Sequence, residues 1–347
     1  MPPRQMFFTF ATGLPVGLLF TASLIGGCWI LIALAYLTVF AALLDVLMAK
    51  SVVSNAADKE FPASDFLLAG LGIAHFALLA TVINRLSDGT THSAIEGVGL
   101  WFAHVLFLGQ ISNANAHELI HRPQRALFQL GKWTYISLLF GHHTSAHRLV
   151  HHKWVGSRQD PNTPRLGDSF YRFAYRAWIG SFRKGLEQEN QLRRRASHQP
   201  SVFTHPYLHY CLGGLLFCAI ACFIGGLIGL LIYVPMVFWA QMQLLQTDYV
   251  QHYGLQRKTD NAGKLEHVQP QHSWNSPHWF SGVLILHAPR HSDHHMHPST
   301  PYPNLKLSQE MPMLPYSMPF MAVIALFPVK FQSLMDPLVQ KWRAPSD

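Results

Sequence analysis

The chain has 347 residues, of which 49% are hydrophobic and only 13% charged, and a formal net charge of +8. That balance argues against an ordinary cytosolic enzyme and for a membrane protein. Cys28, Cys211, Cys218 and Cys222 all fall in apolar runs with no C-x-x-C pair, which excludes a fused zinc-ribbon module and reads as buried small hydrophobes rather than a disulfide framework.

Met6 to Met48 is almost uninterrupted apolar sequence broken near Gly26-Gly27, long enough for two crossings at about 20 residues each. A cleavable leader is the rival reading, but the run after Arg4 is too long for one. A polar loop, 49–64, precedes two further spans at 65–83 and 94–112. From 113 to 206 the chain is mostly polar and rich in arginine and lysine, with a weaker apolar patch at 126–140 that reads as a re-entrant or interfacial helix. Two more spans follow at 207–224 and 226–247. The apolar stretch 313–329 contains Pro315, Pro319 and Pro328, and reads as an interfacial helix instead of a crossing.

The expected fold is therefore an all-α integral membrane protein, one domain over 1–347, with six transmembrane helices (6–25, 27–48, 65–83, 94–112, 207–224, 226–247) and a cap formed by 113–206 and 252–347. The basic residues between Arg122 and Arg195 put that cap in the cytoplasm by the positive-inside rule, with both termini on the same side. They account for the net charge without nucleic acid, for which nothing else in the sequence argues.

Three histidine motifs lie just beyond the predicted membrane exits. They are Asn115-Ala-His117-Glu118-Leu-Ile-His121, His147-Arg-Leu-Val-His151-His152 and Arg290-His291-Ser-Asp293-His294-His295, with His252 following the last span. On a helix, residues four apart share a face, so His117 with His121, and His147 with His151, could each close on a single metal ion. Eight or more imidazoles exceed the roughly four to six ligands of one ion, so two metals are expected; zinc, copper, nickel and iron all accept imidazole. Isolated His75, His92, His104, His198, His205 and His209 read as core or surface residues. A histidine-rich transporter would place such groups at mid-span, whereas these lie past the span ends.

These motifs, together with Gln251-His252-Tyr253-Gly254-Leu255 and His272-Ser273-Trp274-Asn275-Ser276, resemble those of the integral-membrane alkane 1-monooxygenases. That family belongs to the wider fatty acid desaturase and hydroxylase superfamily, with the xylene monooxygenase hydroxylase subunit a cousin. The resemblance runs in span order along the whole chain. It implies a six-helix bundle whose cytoplasmic cap holds two non-haem irons on His117, His121, His147, His151, His152, His252, His291, His294 and His295. It also implies dioxygen as co-substrate, no catalytic residue beyond those ligands, and hydroxylation of the terminal methyl of medium-to-long-chain alkanes. Two departures stand out: Ala146-His147-Arg148-Leu149-Val150-His151-His152 replaces Glu-His-Asn-Arg-Gly-His-His, and Gln251 replaces a glutamate. Neither removes a ligand.

Glu118, Asp160, Asp248 and Asp293 are the carboxylates expected to orient ligand rings. His142, His143, His272, His287 and His297 are expected to line the site without ligating. An apolar chain is expected to enter from the lipid and thread between the four amino-terminal spans. No nucleotide-binding glycine fingerprint or iron–sulfur motif is present, so the resemblance implies a separate electron donor of rubredoxin or ferredoxin type with its reductase. Arg183 to Arg195 would steer an acidic donor, or equally anchor the cap. The expected location is an inner, cytoplasmic membrane of bacterial type. The same ligand set would also serve an alkene-forming fatty acid decarboxylase, a desaturase or a xylene-type alkylaromatic hydroxylase.

Overall fold

The computed structural model describes residues 3–48, 64–91, 93–197 and 200–343. Of the expected polar loop 49–64 all but Ser64 lies outside the described residues, as do His92 and His198. Among the described residues the chain is nearly all helical, its extended pairing limited to two isolated bridges. In a bilayer this is the economical solution, because a helix satisfies its own backbone donors and acceptors.

Five helices among the described residues are long and apolar enough to cross a membrane. They are α1 (Pro3–Ile25), α2 (Cys28–Leu47), α3 (Asp65–Ser87), α4 (Ala94–Ile120) and, after the polar segment, the 47-residue Pro206–His252, here α8. Val46, Phe66, Ile95 and Phe223 are more than 80% exposed on these helices, an outer surface suited to lipid. Leu19, Leu68, Val82, Phe107 and Tyr233 fill the core between them.

The last of the five doubles back on itself. Gly225 and Gly226 have non-helical backbone angles, with Gly226 at φ +61°. Two bonds to α7 (Phe170–Arg194) show the reversal: the Tyr207 hydroxyl donates to the Phe182 carbonyl, and Trp178 Nε1 donates to Gln241 Oε1. Positions 207 and 241 would stand about 50 Å apart in a straight helix, whereas 178 and 182 are one turn apart. The 47 residues therefore form a helical hairpin with its bend at the glycine pair.

The bends mark one end of the bundle. Gly27 N donates to Glu96 Oε1 at the start of α4, and Gly225 lies against Ser87 at the end of α3. Every histidine motif sits at the opposite end. That end is built from α5 (Arg125–Ser137), the irregular helix α6 (143–154) with a π-helical turn at His147–His151, and α7. The short helices α9 (Trp279–Leu284) and α10 (His291–Met296) complete it with α11 (Met318–Ala325) and α12 (Pro328–Arg343).

Of the two apolar stretches not read as crossings, the first is helical as expected and the second is broken. Most of the 126–140 patch is α5, packed on α3, α4 and α8; it ends at Ser137, and Leu139 with φ +54° turns the chain toward α6. The 313–329 stretch is not one helix. Proline disfavours helix at the residue before it, so α11 ends ahead of Pro328 and α12 starts there.

Gly131 of α5 touches the back of α4, where a Cβ would stand 2.6 Å from Leu119 Cβ and 2.9 Å from the Ala116 carbonyl oxygen. Helix α4 carries His117, so this contact sets how deep the first motif sits. Gly131→Ala is expected to lower stability by about 1–3 kcal/mol through overpacking, measured as a depressed thermal midpoint of the detergent-solubilised protein.

Candidate metal centre

All nine clustered histidines converge at that end, in two groups whose donor atoms lie within 4.8 Å of one another inside each group. One group is His117, His121, His147, His152 and His294; the other is His151, His252, His291 and His295. The groups adjoin, with the rings of His152 and His295 4.7 Å apart. The first reaches the protein surface through the half-buried His117, His121 and His152, while all four members of the second are buried.

The pairing by helical spacing holds for His117 with His121 and fails for His147 with His151, which serve different groups. These two begin and end the π-helical turn. Asp160 Oδ2, 2.8 Å from His151 Nδ1, draws the second ring toward the other group.

The ring nitrogens are arranged for a cation. His147 Nε2 faces His117 Nε2 and His152 Nε2, each at 2.9 Å, and His152 Nε2 faces His294 Nε2 at 3.1 Å. In the other group His291 Nε2 faces His252 Nε2 at 2.9 Å and His295 Nε2 at 3.0 Å. A neutral imidazole nitrogen carries either one proton or one lone pair, so hydrogen bonds cannot satisfy both contacts at His147 and His291 alike along such a chain. His121 Nε2 and His151 Nε2 are buried with no partner at all. A shared positive ion meets all of these lone pairs at once, and the donor set fits one.

Burial keeps the rings neutral. It pushes His121, His147, His152, His291, His294 and His295 well below the ordinary histidine range, with neighbouring imidazoles adding to the effect. Burial acts on His151 in the same direction, but Asp160 outweighs it and holds that ring above its usual value.

The four carboxylates play unlike parts. Asp160 accepts from His151 and is itself held by the Thr163 hydroxyl and Asn162 N. Asp248 is tied to the same loop through Asn162 Nδ2 at 2.7 Å. Glu118 points away from the rings, to Arg122 Nη2 at 3.0 Å and Tyr302 N at 3.2 Å, and Asp293 accepts from His297 Nδ1 and Lys306 N. Among the remaining histidines, the His143 ring lies 5.1 Å from that of His147, tilted 31° to it, whereas His142 bonds Ser181, His272 pairs with Glu266, His287 meets the Tyr302 carbonyl, and His297 is mostly exposed.

Two kinds of support escape a search of the sequence for carboxylates. The carbonyls of His272 and Ala288 face the rings of His252 and His291, and a carbonyl has no letter of its own. Asn275 joins three segments: its Nδ2 faces Ser273 O, Ser292 Oγ and Pro312 O, and its Oδ1 accepts from Ser292 N at the start of α10. The His272–Ser276 motif was the only signal for it.

A cavity of about 270 Å³ ends at His117, His147 and His291. Its walls come from α4 (Phe102, Leu106, Gln110), the second arm of α8 (Trp239, Leu244) and α11 (Met318, Val323). Phe102, Trp239 and Val323 are also exposed, so it opens on the apolar flank. Of the four amino-terminal spans only the fourth lines it, which corrects the expected path. The groove between the first hairpin and α9, around Phe10, Tyr36 and Phe280, has no histidine in its wall.

Fold and site together define a multi-pass helical membrane protein with a polyhistidine centre able to hold metal. The fatty acid desaturase family model matches residues 92–322, a segment containing all nine histidines, and the chain belongs to that family. It is 35% identical over 252 residues to alkane 1-monooxygenase 1 of Alcanivorax borkumensis, covering 71% of this chain and 62% of that protein. It is 34% identical to the alkane 1-monooxygenases of Pseudomonas putida (70% of this chain, 62% of the relative) and Ectopseudomonas oleovorans (77% and 66%). Less than two thirds of the length of these relatives is matched.

Asp160→Ala should leave the buried His151 Nδ1–H without an acceptor and weaken metal binding by roughly 10–100-fold, read by competition with a chromophoric chelator. The depressed imidazoles also set a pH dependence. Protons bind the unfolded chain first as pH drops below about 6.5, so metal-stripped protein should keep its stability above that pH and lose it below. The loss is on the order of 1 kcal/mol per pH unit for each such ring, measurable by denaturant titration at stepped pH.

Proposed function

We propose that the chain is an alkane 1-monooxygenase: a membrane enzyme that hydroxylates the terminal methyl of medium-to-long-chain alkanes with dioxygen and two externally supplied electrons. One observation carries the reading, namely that an apolar cavity open to the lipid side ends on both imidazole groups. The likeness to the alkane 1-monooxygenases supports it.

In this reading His117, His121, His147, His152 and His294 hold one iron, and His151, His252, His291 and His295 the other. Bound there, two irons would supply the reductive activation of dioxygen and the removal of hydrogen from an unactivated C–H bond. The chain's own residues do the rest. Phe102, Leu106 and Leu244 grip an alkyl chain and exclude water, and the closed end at His117 and His291 admits a chain terminus in preference to a mid-chain carbon. Asp160 fixes the tautomer of His151 by accepting from Nδ1, which leaves Nε2 as the donor atom.

In this reading the chain crosses an inner membrane six times, with the hairpin of α8 counted as two, and the histidine end faces the cytoplasm, as the basic residues between Arg122 and Arg195 favour. A rubredoxin- or ferredoxin-type carrier with its reductase would deliver electrons there, where His121 and His152 come nearest the surface. A fatty acid decarboxylase or desaturase is the competing reading. No lysine or arginine stands among the described residues lining the cavity, which favours an uncharged substrate over a carboxylate.

Membranes containing the protein, given a donor system, are expected to convert octane to 1-octanol. Lauric acid converted to 1-undecene, with octane untouched, would replace this assignment. Purified protein should carry two irons per chain, and His291→Ala should lose about half of the metal along with turnover.

A further inference from the structure

One turn of α4 is irregular, and its irregularity is held from outside. Leu108–Ser112 is a π-helical turn, a one-residue insertion of the kind that recurs at functional sites. Two side chains from other helices bolt it down. Gln243 Nε2 donates to the Val105 carbonyl at 2.9 Å, and its carboxamide fills the space a Cβ on Gly109 would need. On the other side, Ser112 Oγ lies 2.6 Å from His75 Nδ1, and His75 Nε2 lies 2.7 Å from Ser137 Oγ.

The protons on this second anchor can be placed. Ser137 Oγ donates to the Thr134 carbonyl, so it accepts from His75 Nε2–H. His75 Nδ1 then accepts from Ser112, and every polar group of the anchor is used. Gln110, within the same turn, is the exception. It lines the cavity, and its Oε1 is buried with no hydrogen-bond partner. Asn113 and Thr247 also line the cavity, but the Gln110 oxygen is the buried one left unpaired in its wall; that calls for an explanation, and an alkane would give it none.

The geometry points to Gln110 as a hydroxyl-binding subsite: a medium-chain primary alkanol binds with its hydroxyl on the carboxamide and its far methyl at the histidines. This rests on the hydroxylase reading above. A hydroxyl both donates and accepts, as a carboxamide does, so the pair is matched whichever way the amide is turned. Gln110 and His117 both face the cavity and stand two helical turns apart, about 10 Å along the axis. An extended eight-carbon alcohol spans that separation.

The product is then an α,ω-diol. At the far methyl one C–H bond is replaced by C–OH, and the second oxygen atom of dioxygen leaves as water. Two protons and two electrons from the external one-electron carrier balance the step. Bound the other way round, with its hydroxyl at the histidines, the same alcohol would instead be oxidised to the aldehyde.

The test uses the full-length, iron-loaded protein in lipid vesicles with its donor system, and 1-octanol as substrate. The expected result is at least five-fold more 1,8-octanediol than octanal, and a diol-to-aldehyde ratio at least five-fold lower in the near-isosteric Gln110→Met. Octanal as the main product of the unmodified protein overturns the proposal even if the variant fails to fold, as does an unchanged ratio in a folded variant. Octane is run in parallel. If octane gives 1-octanol while 1-octanol gives only octanal, the subsite alone is wrong; if neither substrate reacts, the hydroxylase reading falls and the subsite with it.

Discussion

Nine imidazoles can crowd into one site only while all but a few stay uncharged. Protonating His147 or His291 would place a cation among close-packed imidazoles, with Asp160 already spent on His151. The surroundings follow from that constraint. Burial drives the rings neutral, their lone pairs turn inward, and second-row partners are mostly carbonyls and hydroxyls, which orient a ring without adding charge.

How much of this was legible in the sequence differs from one feature to the next. Four-residue spacing correctly paired His117 with His121, because that segment is an ordinary helix. It mispaired His147 with His151, because a π-helical turn cannot be read from His-Arg-Leu-Val-His, and because the pull of Asp160 depends on a loop closing nine residues later. Composition found the apolar runs. It also placed the bend between 224 and 226, where two glycines permit a reversal that leaves the hairpin arms in contact. The cavity was misplaced for a different reason. Its third wall, α11, lies some 200 residues beyond α4 in the chain, and nothing local to either announces their meeting.

His75 shows the limit of reading single residues. As an isolated histidine it reads as a core or surface residue, and the structure buries it fully. Its use appears only with Ser112 and Ser137 in place, two hydroxyls from two other helices that take up both ring nitrogens. A polar group at mid-span is costly unless so matched, and here the match is complete.

The inserted residue of the π-helical turn also sets the angular phase of α4. Each residue of an α-helix advances about 100° around the axis, so the faces before and after the insertion are offset from one another. The stretch from Trp101 to Phe107 can keep the rotation its neighbours demand, while His117 and His121 keep the one their partner rings demand. Removing a single residue between 108 and 112 would leave both halves helical and turn the histidine pair by more than a quarter of a circle. One helix thus answers to two separate rotational requirements, and the turn between them works as its clutch.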